Sequence, residues 1–170
     1  MLKKSLVTLF LLLSSIIAYG NCCPNIEKNY HSYYSNGKIY ERGDIQNGMK
    51  QGEWLVFYEN GNIKEKIVYK DDKRDGEYFR FYENGQLKHR AMYVDDKIEG
   101  NYVTFDEGGY LDEIVNYIDN RPQGISFKFY DGGRIKESRI YKKDGTIIQH
   151  NYNQNKDLDF LSNYSAINKN

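Results

Sequence analysis

The side chains able to carry chemistry in this sequence are few and scattered. The three histidines, His31, His89 and His150, fall in different segments of the chain, and neither an HxxxH pair nor a His–Cys cluster occurs. A metal centre needs ligands that one turn or hairpin can bring together, so no metal is expected. His89 stands where Glu65, Glu113 and Glu137 stand in neighbouring segments, which marks it as a substitution within a pattern and not as a dedicated base. Asp71-Asp72 and Asp95-Asp96 resemble fragments of a calcium loop, but turn chemistry already accounts for paired aspartates. No Ser-His-Asp order, phosphate loop or dinucleotide fingerprint is present. The chain is therefore read as non-enzymatic, with no catalytic residues and no cofactor.

The remaining reactive groups, Cys22 and Cys23, follow a stretch with its own logic. Residues 1–20, MLKKSLVTLFLLLSSIIAYG, have a basic start, a short apolar run and small residues at Ala18 and Gly20. That is the layout of a signal peptide cleaved before Asn21, and the run is short for a bilayer span. The expectation is an exported protein, periplasmic or extracellular, with no transmembrane span after cleavage. Cys22 and Cys23 then lie near the new N-terminus, where lipid attachment, pairing with another chain, pairing with each other in a strained ring and a free thiol all stay open. Two adjacent cysteines cannot staple a fold. The 24 basic and 24 acidic residues balance, which argues against nucleic acid as a partner.

What positions the side chains is a repeat. FYENG at 57–61 returns at 81–85, and Gly37, Gly61, Gly85, Gly109 and Gly133 keep a constant step of 24 residues. A second series, Gly52, Gly76, Gly100 and Gly124, keeps the same step. Such a period signals stacked supersecondary units. Each unit reads as strand, tight turn, strand and looser connection, with the first glycine series at the hairpin turns. Between hairpins the turns are expected at Asn47-Gly48, Asp71-Asp72, Asp95-Asp96, Asp119-Asn120 and Lys143-Asp144. The fold class is all-β: an elongated antiparallel sheet of successive hairpins. The division is a signal peptide at 1–20, a linker at 21–32, a repeat domain at 33–152 and a polar tail at 153–170.

Alternation suggests the faces. Positions 55, 57, 63 and 69, with their equivalents one and two repeats on, are apolar or Tyr and odd-numbered, so the odd face is expected to be the core. The even face carries Trp54, Tyr58, Tyr78, Tyr82 and Tyr102, with Lys64 and Lys88 beside them. Two readings stand for it: a wet cover of tyrosines and lysine stems, or an exposed aromatic and basic row that grips a partner.

The pattern GEW..FYENGNIKEKIVYKDDK..G resembles the MORN-repeat variant family, in particular the bacterial YwqK-type antitoxin-like repeat proteins. The likeness covers about Tyr33 to Tyr152, with Asp106 in place of a tyrosine and Ser126 in place of Trp or Tyr. It implies an open hairpin sheet that acts by binding. Two functions follow as expectations. The first is an exported module for protein–protein binding or scaffolding at the bacterial cell envelope, its partner another protein or cell-wall or membrane-surface material. The alternative is an antitoxin or immunity protein neutralising one toxin.

Overall fold

The structure, a computed structural model, describes residues 26–152, so the segment read as a signal peptide, both cysteines and the 153–170 segment lie outside the described residues. Twelve strands run in chain order: β1 (Ile26–Tyr33), β2 (Ile39–Gln46), β3 (Met49–Phe57), β4 (Ile63–Lys70), β5 (Lys73–Phe81), β6 (Leu87–Val94), β7 (Lys97–Phe105), β8 (Leu111–Ile118), β9 (Arg121–Pro122), β10 (Gly124–Phe129), β11 (Ile135–Tyr141) and β12 (Ile147–Asn151). They form one antiparallel sheet in sequential order, with the two-residue β9 set beside β8 off the main path. At ~4.8 Å per strand the sheet extends roughly 50 Å. β1 begins inside the segment read as a linker and pairs with β2 from Ile26↔Gln46 onwards.

The turns explain why the chain folds back where it does. Asp71 and Asp72 have φ of 51° and 64°, and Asp95, Asp96, Asp119 and Asn120 are also left-handed. A two-residue turn with both φ positive matches the twist of the strands it joins, and Asn and Asp tolerate that conformation. Gly37, Gly61, Gly85, Gly109 and Gly133 are left-handed at the other end of each unit, as expected. One turn differs. Lys143-Asp144 does not form the two-residue turn. Instead Gly145 takes φ 85° and donates to Lys142 O at 3.0 Å, while Asp144 caps Thr146 N at 2.8 Å. Asn60-Gly61 does the same, with Asn60 accepting from Asn62 N at 2.8 Å. The Asx-Gly pair therefore outweighs the 24-residue register, and the last hairpin closes early.

The core is not the odd face. In the hairpins closed by Gly37, Gly61, Gly85, Gly109 and Gly133 the pairing slips at the turn: Phe57 faces Ile63, but Val56 faces Glu65 and Trp54 faces Ile67. One strand advances by one residue while its partner advances by two, so cross-strand neighbours have opposite parity beyond the bulge. One face therefore carries even residues from β3, β5 and β7 and odd residues from β4, β6 and β8. Trp54, Val56, Ile67, Tyr78, Ala91, Tyr93 and Val115 are buried on it. Phe57, Phe81, Phe105 and Phe129 are only half-buried. The glycine series at 52, 76, 100 and 124 has positive φ. Gly76 and Gly100 sit where the β5 and β7 pairings shift register by a further two residues, which leaves the parity unchanged.

Candidate binding surface

The aromatic row read from the sequence divides into two groups, neither of them freely exposed. Trp54 is 1% exposed and Tyr78 8%, which overturns the expectation that they stand open to a partner. Trp54 packs on Gly43, where an added Cβ would overlap the indole. Its Nε1 donates to Asp44 O at 3.2 Å, and Lys50 Nζ lies 3.9 Å from the ring centroid. Tyr78 stacks on His89 with centroids 5.5 Å apart, and His89 lies 5.2 Å from Tyr102, which is half-buried. Burial pushes the Tyr78 phenol up to about 12, with Glu65 adding to the effect. Burial, then Arg80 and Lys88, pulls the His89 imidazole down to about 4, so it is neutral within its aromatic stack.

Tyr58 and Tyr82 form the second group. Tyr58 OH donates to Phe81 O at 2.8 Å and Tyr82 OH to Phe105 O at 2.9 Å, each linking one unit to the next. Tyr34 does the same to Phe57 O at 2.6 Å. Lys64 Nζ sits 5.7 Å over Tyr58 and Lys88 Nζ 4.9 Å over Tyr82. The structure thus brings each of these lysines to its tyrosine, with the hydroxyls occupied by the ladder and a cation over each ring.

The opposite face offers a different arrangement. Cross-strand pairs run continuously from Arg42 to Leu55, Lys66, Phe79, Arg90 and Val103. Arg42 and Arg90 are exposed, Leu55, Lys66 and Phe79 half-buried, and Val103 buried. Met92 stands beside this stripe, 43% exposed, and a shallow hollow of about 160 Å³ opens between Phe79, Arg90, Met92 and Glu77. Lys66 pairs with Glu53 at 2.6 Å, so carboxylates interrupt the cations. Single-letter alternation hid the stripe, because its members are 11 or 13 residues apart and alternate in parity. Adding the hairpin slip to the periodicity would have found it.

Among the described residues no group of three His, Cys, Asp or Glu side chains is placed to hold a metal ion, and no helix is long and apolar enough to cross a membrane.

Comparison with known proteins adds a family signal at the centre of the sheet. The profile of the family described as MORN repeat variant matches residues 50–71 and 74–95. No curated protein matches the chain. Among solved structures the chain is similar to one described as accessory secretory protein 1,2 and 3 in Streptococcus pneumoniae. The identity is 14%, over 73% of this chain and 19% of that one, with a TM-score of 0.24. The chain thus spans about a fifth of that structure's length. The two matched segments coincide with β3–β4 and β5–β6, so two adjacent MORN-variant repeats lie at the middle of the sheet.

Proposed function

We propose that this protein is an exported, non-enzymatic repeat module that binds another protein at the bacterial cell envelope, using the face opposite its aromatic core. The observation that carries the reading is the stripe between the exposed Arg42 and Arg90, in which Leu55 and Phe79 are half-buried on either side of Lys66, with a hollow at Phe79 and Met92. Among the described residues the single-layer sheet has no packing layer on that side, and apolar groups bordered by polar ones are the usual composition of a protein-binding patch. Glu53 and Glu77 among the cations favour a protein over an anionic bilayer, which would be repelled by them. The leader-like stretch at 1–20 supports export, and MORN-variant repeats support binding over catalysis.

A photo-reactive residue in place of Met92, in the chain expressed with residues 1–20 in a bacterial host, tests this. A discrete protein adduct in the envelope fraction is the expected result, with a much weaker one from the same group at Tyr78. Adducts to lipid alone, or none from Met92, would overturn the reading.

A further inference from the structure

A groove of about 870 Å³ lies between the β8–β9 turn and the final hairpin, and it marks the point where two ladders stop. Along this edge successive units are tied by side chains: Gln51 Nε2 donates to Asp71 Oδ1, then Lys73 Nζ pairs with Asp95 Oδ1 at 3.0 Å and Lys97 Nζ with Asp119 Oδ1 at 2.6 Å. Twenty-four residues further on, the corresponding residues are Arg121 and Lys143, two cations. Neither forms an ion pair among the described residues. The second ladder runs through backbone amides. Lys50 N, Arg74 N and Ile98 N donate to the side chains of Asp72, Asp96 and Asn120 at 2.6, 3.1 and 2.6 Å. The next position is Pro122, which has no N–H to donate.

The last hairpin, closed at Asp144-Gly145, therefore leaves a place that an acidic turn fills at Asp71-Asp72, Asp95-Asp96 and Asp119-Asn120 in the three preceding units. Its lining holds Lys97, Arg121, Lys142 and Lys143 against the carboxylate of Asp119, with Ile118 and Ile147 50% and 56% exposed beside them. Next to it β12 is the last strand of the sheet, paired only with β11 among the described residues. We propose that this groove binds an extended acidic segment of a protein partner, its carboxylates on Arg121 and Lys143 and its alternate apolar residues on Ile118 and Ile147. The occupant follows from the charge of the lining and from the acid that the repeat places there elsewhere. An added strand beside β12 would also satisfy an open edge. This proposal rests on the protein-binding reading above but concerns a separate site.

Fluorescence anisotropy of the full chain with a labelled peptide alternating glutamate with leucine and phenylalanine tests it, beside a counterpart with lysine for glutamate. The acidic peptide is expected to bind and the basic one not to. Arg121→Glu with Lys143→Glu should weaken binding at least tenfold while leaving the thermal midpoint unchanged. Equal binding of both peptides, no binding, or unchanged affinity in the double variant would overturn the proposal. So would a change in sedimentation of that variant without a change in peptide affinity, which would make a second copy the occupant. Tighter binding by Asp157→Lys with Asp159→Lys would point to the chain's own 153–170 segment and would also overturn it. Arg90→Glu on the stripe separates the two readings: if it abolishes peptide binding and the groove variant does not, the groove proposal fails and protein binding stands.

Discussion

Gly43 and Trp54 pack directly against each other, and their relation is steric before it is anything else. The indole lies where a side chain at 43 would be, so Gly43→Ala must displace it or the strand. Overpacking of this kind costs about 1–3 kcal/mol. Urea unfolding of Gly43→Ala should show that loss, with the Trp54 fluorescence maximum moved to the red; an unchanged midpoint would mean that the ring is not seated there. His89 gives a second residue-level expectation. Its imidazole is held neutral in the fold, down to about 4 from an ordinary 6.5, first by burial. Between those two values the unfolded chain binds more protons than the folded one, so stability rises with pH through the window and falls as the solution is acidified from about 6.5 to about 4. His89→Gln should flatten this part of the stability profile, as followed by thermal unfolding at a series of pH values.

At the scale of elements, the units are joined by hydrogen bonds that skip from one hairpin to the next. Tyr34, Tyr58 and Tyr82 each donate to a carbonyl one repeat on, and Asp106, where a tyrosine is expected, makes no such bond. Asp106 instead accepts from Gly108 N and Tyr110 N within its own turn. Tyr82→Phe removes one link and leaves a partly buried carbonyl, so a loss of about 1 kcal/mol is expected in urea unfolding. Hydrogen exchange of the β7 amides should quicken with it, and unaltered exchange would count against a linking role. Strands and most turns were legible in the sequence, since Asn, Asp and Gly at fixed steps dictate where the chain reverses. The faces were not. Parity carries through a strand but not through a hairpin whose turn contains a bulge, and the slip between Val56 and Phe57 leaves no mark in a period count. The same slip hid the stripe from Arg42 to Val103, and it turned Trp54 and Tyr78 from expected contact residues into core. The early last hairpin was missed because Asp144-Gly145 competes with the two-residue turn expected at 143–144.

For the whole molecule, the open sheet has one face closed by its own aromatic residues and the other, among the described residues, without a packing layer. Trp54, Tyr78 and Tyr102 fill the first by alternating with Ile67, Ala91 and Val115, large against small across neighbouring strands, and Tyr93 lies opposite Gly76. The second keeps Phe79 and Met92 near the surface at the cost of half-buried apolar area. Tyr78 and Phe79 are neighbours in the chain and lie on opposite faces, so they separate the two roles without changing the strand. Tyr78→Ala should cost on the order of 3–5 kcal/mol, as for a buried aromatic, and Phe79→Ala clearly less. The direct measurement is the urea unfolding free energy of these two variants side by side. A larger loss for Tyr78→Ala is the predicted result, and a larger loss for Phe79→Ala would restore the odd-numbered face as the core and contradict the account.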